Sequence, residues 1–150
     1  MWKPPDDDGL ERYLLNLLSR RELTSGQARE KLAARGADPD RTEELIESFT
    51  EAGYLDDRTY ALLFAESRTE WGRRRISDEL RRRGVDREFI REALEETDEE
   101  GRAAALAEEW AGRGTEEKKI VGRLLRRGFP FTLSRKVAER ACGPEDCNVK

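Results

Sequence analysis

The sequence contains no histidine, the side chain that most often serves as a general base, as a metal ligand and as a charge switch near neutral pH. Its two cysteines, Cys142 and Cys147, are too few for the four ligands of a structural zinc site. In a reducing cytoplasm we expect both to remain thiols. The chain has no glycine-rich phosphate loop of the Walker type and no nucleophile elbow. These absences make an enzyme the weaker prediction, and we expect no cofactor and no metal ion.

Long apolar stretches are also missing. Uncharged runs are only a few residues long, against about 20 residues for a helix that crosses a bilayer, so we expect no membrane span. The first residues lack the apolar core of a secretory signal, which predicts a cytoplasmic protein. Only 7% of the residues are aromatic, whereas 41% are charged, compared with about 25% in an average globular protein.

The charges are segregated along the chain, although the net charge at pH 7 is only −4. Residues 1–64 carry 9 basic and 14 acidic side chains, and residues 66–91 carry 9 basic against 6 acidic. Residues 92–117 reverse to 2 basic and 10 acidic, and residues 118–140 return to 8 basic and 1 acidic. This alternation of basic and acidic bands fits binding to a polyanion or to a protein with complementary patches.

Hydrophobic spacing predicts helices almost throughout the chain. In one segment the inward-facing residues recur at i, i+3, i+4 and i+7, the stripe of an amphipathic helix: Thr42, Leu45, Ile46 and Phe49. Asp38 suits the N-cap of this helix with Pro39 at its first position, and Gly53 is placed to end it.

Two further helix starts are predicted by the spacing of a capping box, in which a hydroxyl residue and a Glu or Gln three positions later satisfy each other's backbone amides. Thr24 with Gln27 has this spacing, and so does Thr97 with Glu100. No segment alternates apolar and polar residues with enrichment in β-branched side chains, so we predict no strand.

One pattern of residues occurs three times. Each copy has two apolar residues four positions apart, an arginine three positions later, a glycine, and then a small or apolar residue. The copies are Ala28, Leu32, Arg35, Gly36 and Ala37; Ile76, Leu80, Arg83, Gly84 and Val85; and Ile120, Leu124, Arg127, Gly128 and Phe129. The pattern predicts a short helix with an inward-facing apolar pair, ended by a glycine in the left-handed conformation.

A helix is predicted before and after each copy of this pattern, which gives an all-α fold of three tandem three-helix repeats. We place the repeats at residues 10–53, 56–96 and 98–141. A unit of about 40 residues is marginal by itself, so we expect the repeats to support one another in an elongated, curved body. Residues 1–9 are predicted to form a disordered acidic arm, and residues 142–150 a flexible tail.

Basic residues are the candidates for partner or DNA binding. Two interpretations are open: a solvated helix face, or a surface whose planar guanidinium groups bind carboxylates or phosphates. The candidates are Arg68, Arg73, Arg74, Arg75, Arg81, Arg82, Arg83, Lys118, Lys119, Arg123, Arg126 and Arg127. On a helix beginning near Gly72, Ile76 and Leu80 would face inward and the arginines would cover the remaining surface.

Two tryptophans accompany these basic residues. We predict that Trp71 and Trp110 are packing anchors, with base stacking as the alternative role. Three-helix units with glycine turns also suggest a helix-turn-helix protein that places one helix in the major groove of DNA. The isoelectric point of about 5.2 is lower than a dedicated DNA-binding domain would have.

Four short segments occur in a fixed order: residues 53–61 (Gly-Tyr-Leu-Asp-Asp-Arg-Thr-Tyr-Ala), 72–76, 80–85 and 125–129. With the threefold repeat, they resemble the RecX family of bacterial regulatory proteins over roughly residues 10–140. The resemblance implies structural roles for Gly53, Tyr54, Leu55, Asp56, Asp57, Tyr60, Ile76, Leu80, Gly84, Leu124, Gly128 and Phe129.

The resemblance implies a monomeric modulator of the RecA recombinase, acting in recombination, DNA repair and the SOS response. Such a protein lies in the helical groove of the RecA filament on DNA and restrains its ATPase and strand-exchange activities. The basic candidates would contact acidic patches of the recombinase, with weak, non-specific contact to DNA. The alternative is a helical DNA-binding module or transcription regulator without a recombinase partner. A third alternative, an enzyme using the Asp56–Asp57 pair, would require a divalent metal ion.

Overall fold

The computed structural model describes residues 8–143, in which nine α-helices and no strand occur. The predicted all-α class is therefore confirmed. None of the helices in this described part is long and apolar enough to cross a lipid bilayer. The helices are Leu10–Arg20 (α1), Ser25–Ala34 (α2), Pro39–Glu51 (α3), Asp57–Ser67 (α4), Arg73–Arg82 (α5), Arg87–Glu95 (α6), Glu99–Gly112 (α7), Glu117–Arg126 (α8) and Phe131–Cys142 (α9).

Most of the predicted arm and tail lies outside the described residues, in residues 1–7 and 144–150. Asp8, which we assigned to the arm, accepts hydrogen bonds from the guanidinium group of Arg41 at 2.8 and 3.1 Å. Cys142, which we assigned to the tail, is the last residue of α9. These two residues therefore belong to the folded part of the chain.

The described residues divide into two compact units. Unit 1 contains residues 8–61 and 80–90, and unit 2 contains residues 62–79 and 91–143. The division passes through the middle of the three predicted repeats, residues 56–96. The boundaries of the three repeats and the elongated, curved body therefore stay predictions.

Each unit has its own hydrophobic core. In unit 1 the core is formed by α1, α2, α3 and the turn after α3, and its buried members are Leu10, Leu14, Leu23, Ala28, Leu32, Leu45, Ile46, Phe49 and Leu55. In unit 2 it is formed by α7, α8 and α9, and its buried members are Ala103, Leu106, Ala107, Trp110, Ile120, Leu124, Phe129, Val137 and Ala138. Trp110 is thus the packing anchor that we predicted.

The repeated apolar pair is completely buried in all three copies. Ala28, Leu32, Ile76, Leu80, Ile120 and Leu124 each have 0% of their surface exposed. The spacing of four residues places both members of a pair on one side of a helix, as predicted. Replacing a buried leucine by alanine costs about 2–5 kcal/mol, so these pairs fix α2, α5 and α8 in place.

The repeated glycine ends each of these helices as predicted. Gly36, Gly84 and Gly128 have φ angles of 91°, 83° and 93°, in the region that other residues rarely adopt. The amide of the next residue then donates to the carbonyl of the second apolar residue, for example from Val85 to Leu80 at 3.0 Å. This hydrogen bond is the signature of a Schellman motif.

The repeated arginine contacts an aromatic residue of the preceding helix in every copy. The pairs are Arg35 over the Tyr13 ring at 4.1 Å from its centroid, Arg83 Nη1 donating to Tyr60 Oη at 2.6 Å, and Arg127 over the Trp110 ring at 5.1 Å. Each pair ties the end of the second helix of a repeat to its first helix. A cation–π contact at an exposed site is worth about 0.5–1 kcal/mol.

Two predicted caps are confirmed. The capping box of α2 is complete, because the amide of Gln27 donates to Thr24 Oγ1 and the amide of Thr24 donates to Gln27 Oε1, both at 3.0 Å. At the start of α3, Asp38 Oδ1 accepts from the amide of Arg41 at 2.8 Å. Gly53, with a φ of 88°, follows the end of α3, as predicted.

The third predicted cap, the box formed by Thr97 and Glu100, is wrong. Asp98 is the N-cap of α7, and its carboxylate accepts from the amide of Gly101 at 3.0 Å. The hydroxyl of Thr97 instead donates to the carbonyl of Leu94 at 2.8 Å, because Thr97 still belongs to the turn that ends α6.

Backbones approach closely at one point in unit 1, where the start of α2 meets the turn after α5. A Cβ atom added to Gly26 would lie 2.7 Å from the Cα of Gly84. The hydroxyl of Thr24 donates a hydrogen bond to the carbonyl of Arg83 at the same point. The carbonyl before the repeated glycine therefore accepts a hydrogen bond from the N-cap residue of another helix.

The same kind of contact occurs in unit 2, between the start of α5 and the turn after α8. The amide of Gly72 donates to the carbonyl of Arg127 at 2.7 Å. A Cβ atom added to Gly72 would lie only 2.4 Å from the carbonyl carbon and oxygen of Gly128. Only a glycine fits here, since the obstructing atoms are backbone and cannot rotate away.

We expect Gly72→Ala to lower the free energy of unfolding by about 1–3 kcal/mol, the usual cost of overpacking. Gly112→Ala is the control, because Gly112 lies in a helix and a Cβ there meets nothing within 4 Å among the described residues. It should leave stability unchanged or raise it by up to about 1 kcal/mol. Urea unfolding followed by circular dichroism measures both. Equal stabilities of the two variants would contradict the close contact.

Candidate binding surface

Two of the candidate arginines in unit 2 cover the indole ring of Trp71. The guanidinium carbon of Arg75 lies 4.1 Å from the ring centroid, and that of Arg68 lies 5.3 Å away. The ring of Phe64 meets Trp71 edge to face, with centroids 5.9 Å apart. Trp71 therefore packs as predicted, and it supports two cations near the surface.

Trp110 carries a second pair of arginines in the same unit. The guanidinium carbons of Arg123 and Arg127 lie 5.3 and 5.1 Å from its ring centroid. Arg127 Nη1 also donates to Glu70 Oε1 at 2.7 Å. Glu70 lies in the loop between α4 and α5, so this ion pair joins that loop to the end of α8.

The two tryptophan clusters are neighbours because the α4–α5 loop lies against the C-terminal turn of α8. The Glu70–Arg127 ion pair and the hydrogen bond from Gly72 to Arg127 both join these two segments. Four guanidinium groups therefore gather in unit 2. We call this group the basic junction; its members are Arg68, Arg75, Arg123 and Arg127.

Some of the other candidate cations of unit 2 have no partner within the described residues. Lys119, Arg123 and Arg126 follow one another at i, i+4 and i+7 and so line one side of α8. Among the candidates of unit 2, four exposed cations make no hydrogen bond, ion pair or ring contact within residues 8–143. We call them the free cations; they are Arg74, Lys118, Lys119 and Arg126.

Arg73 has a structural contact that the helical pattern did not indicate. Its Nε and Nη2 donate to the hydroxyl and the carbonyl of Thr97, at 3.1 and 2.8 Å. Its backbone amide donates to Glu99 Oε2 at 2.8 Å. These bonds tie the start of α5 to the loop between α6 and α7, so Arg73 is a poor choice for testing a binding surface.

The second arginine triplet lies in unit 1, at the C-terminal end of α5. Arg81 and Arg82 are exposed, whereas Arg83 is half-buried and donates to Tyr60. Positive side chains are favourable at this end of a helix because the last carbonyl groups carry partial negative charge.

Arg102 and Arg135 are basic residues of unit 2 that the sequence analysis did not include among the candidates. Arg102 donates to the carbonyls of Ala65 and Arg68 at 3.0 and 3.1 Å, so it satisfies the last turn of α4, and burial lowers its pKa. Arg135 is exposed on α9. The basic composition of residues 118–140 could have included Arg135, but no local pattern indicates the long-range contacts of Arg102.

Tyr54 and Leu55 are two of the residues for which the resemblance implies a structural role. Leu55 is 1% exposed and belongs to the core of unit 1. Tyr54 is 57% exposed and touches Phe49 with ring centroids 5.5 Å apart. Tyr54 therefore lies mostly at the surface, in contact with one buried ring.

The neighbouring carboxylates act as helix caps. Asp56 accepts from the amide and the hydroxyl of Thr59 at 3.1 and 2.7 Å, and these bonds lower the pKa of Asp56. Asp57 Oδ1 accepts from the amide of Ser25 at 2.8 Å, at the start of α2. Burial raises the pKa of Asp57, and the nearby charge of Asp86 adds to the rise. Among residues 8–143 no three Cys, Asp or Glu side chains are grouped to hold a metal ion.

The described helices, the recurring glycine turn and the cationic surface of unit 2 define an all-α protein with a helical pattern that occurs three times. A family model described as the second three-helix domain of RecX matches residues 56–94. The regulatory protein RecX of Halorhodospira halophila is 39% identical over 136 residues, covering 85% of this chain and 84% of that protein. The RecX of Chromobacterium violaceum is 34% identical, with coverage of 85% and 88%. The chain belongs to the RecX family.

Solved structures agree with this assignment at the level of the fold. The crystal structure of RecX from Lactobacillus salivarius superposes with a TM-score of 0.79 at 23% identity, covering 89% of this chain and 95% of that one. A second crystal structure of a regulatory protein RecX gives a TM-score of 0.74 at 19% identity, with coverage of 88% and 71%. The predicted family is confirmed, and it is a family of regulatory proteins.

The buried carboxylate of Asp57 gives a pH-dependent prediction. A raised pKa means that deprotonation of Asp57 costs folding free energy, so its contribution is most favourable at low pH and is lost as pH rises above the ordinary range of Asp. Asp57→Asn keeps an acceptor for Ser25 without the charge. The stability of this variant relative to the unaltered protein should therefore increase from pH 3 to pH 7, measured by urea unfolding at each pH. A difference that shrinks with rising pH would contradict the assignment.

Proposed function

We propose that this chain is a regulator that binds the RecA recombinase filament in its helical groove and restrains its ATPase and strand-exchange activities. Membership of the RecX family supports the partner. The basic junction and the free cations of unit 2 are the observation that carries the proposal, because they offer a surface for carboxylate and phosphate groups. The protein acts as a monomer in the cytoplasm, in recombination, DNA repair and the SOS response, and it has no catalytic activity of its own.

The support given by the tryptophans matters for binding. A long side chain loses conformational entropy when a partner immobilises it, and this costs about 0.5–1.5 kcal/mol of binding free energy for each side chain. Arg75 and Arg68 already rest on Trp71, and Arg123 rests on Trp110. Part of this entropy is therefore lost on folding and not on binding. The planar groups are held ready for bidentate contact with carboxylate or phosphate.

The charge balance favours a protein–DNA filament over bare DNA as the partner. Residues 62–79 and 91–143, which form unit 2, carry 15 basic and 15 acidic side chains. With no net charge, this unit lacks the strong positive field that drives binding to a naked polyanion. A partner that presents complementary patches of both signs suits the alternating charges, and direct contact with DNA is weak and non-specific.

Charge reversal on α8 tests the surface. We expect Lys118→Glu, Lys119→Glu and Arg126→Glu together to weaken inhibition of DNA-dependent ATP hydrolysis by the cognate recombinase about tenfold or more, since each lost surface pair costs up to about 1 kcal/mol. The matched control reverses Arg21, Lys31 and Arg87, which are also exposed and have no side-chain partner within the described residues.

Both triple variants change the net charge by the same amount, so a general charge effect would weaken inhibition equally in the two. Circular dichroism and thermal unfolding establish that each variant is folded. Full inhibition by a folded α8 variant would contradict a role of this surface in binding. Absence of any inhibition by the unaltered protein would contradict the proposed function itself.

The second candidate function is a helical DNA-binding module without a recombinase partner. The same cations favour it, because Lys and Arg side chains neutralise phosphates and make binding dependent on salt. The zero net charge of unit 2 argues against it.

Binding to bare DNA separates the two candidates. At one salt concentration, we expect the protein to bind preassembled recombinase filament at least tenfold more tightly than bare single- or double-stranded DNA of the same sequence, measured by fluorescence anisotropy. Sequence-selective binding to naked duplex, with no gain from the recombinase, would favour the DNA-binding module.

A further inference from the structure

Among the described residues, Glu70 is the only carboxylate that pairs with a member of the basic junction. Its Oε1 accepts a hydrogen bond from Arg127 Nη1 at 2.7 Å. Within residues 8–143, the guanidinium groups of Arg68, Arg75 and Arg123 have no carboxylate partner. The junction therefore contains four positive groups and one paired negative group, and the negative group belongs to the chain itself.

The ion pair is not needed to hold the loop between α4 and α5. The amide of Trp71 donates to the carbonyl of Arg68 at 3.1 Å, and the amide of Gly72 donates to the carbonyl of Arg127 at 2.7 Å. The Trp71 ring also packs edge to face against an aromatic ring of α4. These contacts fix the backbone around Glu70, whose side chain is 64% exposed and can rotate into solvent.

Arg127 keeps a second support when the ion pair opens. Its guanidinium group lies over the Trp110 ring, 5.1 Å from the centroid. The equivalent arginine of the first copy, Arg35, lies over the Tyr13 ring and has no carboxylate partner within the described part of the chain. An aromatic neighbour is therefore sufficient to hold the repeated arginine, and the carboxylate at Arg127 is an addition to that contact.

We propose that Glu70 is an internal ligand of the basic junction, which an acidic segment of the recombinase displaces when this protein binds the filament. The identity of the partner rests on the proposed function. On displacement, a carboxylate of the partner takes the place of Glu70 at Arg127, and further carboxylates reach the three guanidinium groups that have none. The ion pair thus occupies part of the site in the free protein and opens on binding.

The internal ligand indicates the chemistry that fits the site. Its carboxylate lies at the short distance of a charge-assisted hydrogen bond from Arg127, while the ring of Trp110 supports the planar guanidinium group. Unit 2 carries equal numbers of basic and acidic side chains, so no overall positive field attracts the long phosphate backbone of a nucleic acid. These observations favour the carboxylates of a protein over phosphates as the occupant.

Competition with Glu70 also selects for a segment that carries several carboxylates. A ligand tethered to its site by a short chain acts at an effective concentration on the order of millimolar. A single free anion must exceed this concentration to displace it. A segment with several carboxylates also gains contacts at Arg68, Arg75 and Arg123, which Glu70 does not make. Glu70 therefore lowers the affinity of the junction for small anions more than its affinity for an acidic segment.

Glu70→Gln removes the charge of the internal ligand and keeps the shape of the side chain. We expect this variant to bind hexaglutamate with blocked ends about two- to fivefold more tightly than the unaltered chain, the range that loss of an exposed ion pair allows. Titrations at low salt followed by ¹⁵N NMR measure the affinity, and the shifts should lie at residues 68–75 and 123–127.

Glu66→Gln is the matched control. Glu66 is exposed in the same unit and has no partner within the described residues, so the variant changes the net charge equally but opens no ion pair. It should leave the affinity for hexaglutamate nearly unchanged. In an Arg127→Gln background the ion pair is already absent, so Glu70→Gln should add little there. Circular dichroism shows whether each variant is folded; if Arg127→Gln is not, the comparison with Glu66→Gln decides.

The filament provides a separate measurement. Glu70→Gln should inhibit DNA-dependent ATP hydrolysis by the cognate recombinase at a two- to fivefold lower protein concentration than the unaltered chain does. If the unaltered chain does not inhibit the recombinase, the proposed function fails, and the peptide titrations alone decide whether Glu70 is an internal ligand.

Four results would overturn the inference. They are equal affinities of Glu70→Gln and Glu66→Gln for the peptide, an undiminished gain from Glu70→Gln in the Arg127→Gln background, and inhibition by Glu70→Gln that is no stronger than that of an inhibitory unaltered chain. The fourth is a larger gain in affinity for an oligothymidylate of the same charge than for hexaglutamate, which would assign the junction to phosphate.

Discussion

The glycine turn that ends α2, α5 and α8 is the constraint on which the rest of the structure depends. A φ near +90° lets the helix stop within one residue, and the missing Cβ lets another backbone come into contact. At Gly84 and Gly128 this space is used, and in each case the carbonyl just before the glycine receives a hydrogen bond from the start of another helix. One short pattern therefore both ends a helix and supplies the acceptor for another.

The arginine of this turn shows why the number of basic residues is a poor indicator of a binding surface. The side chain of Arg83 donates to the hydroxyl of Tyr60 and that of Arg127 lies over the Trp110 ring, while their carbonyls accept hydrogen bonds, so both are engaged in contacts within the fold. Arg73 is similarly engaged with Thr97. The proposed partner contact therefore uses the charges that folding leaves unused, with the tryptophan-supported arginines beside them.

Structural features could be predicted from the sequence wherever they depend on residues a few positions apart. The caps at Thr24 and Asp38 depend on residues three positions away, and the buried pairs depend on a spacing of four. The cap at Thr97 was wrong because Asp98, one position later, competes for the same role, and spacing alone cannot rank the two. The contact of Arg73 with Thr97 crosses 24 positions, and no helical period contains it. The family could be predicted because the order of several local motifs is itself a sequence property.

The surroundings of the two described tryptophans give the molecule an optical property. Indole emission depends on the polarity and charge around the ring. Trp71 is half-buried beneath two cations, whereas Trp110 is 6% exposed and lies within a core. Arg123 and Arg127 lie over Trp110 in the same way. A ligand that draws these arginines away from either ring would alter the indole emission, so occupancy of the basic junction can be read without attaching a dye.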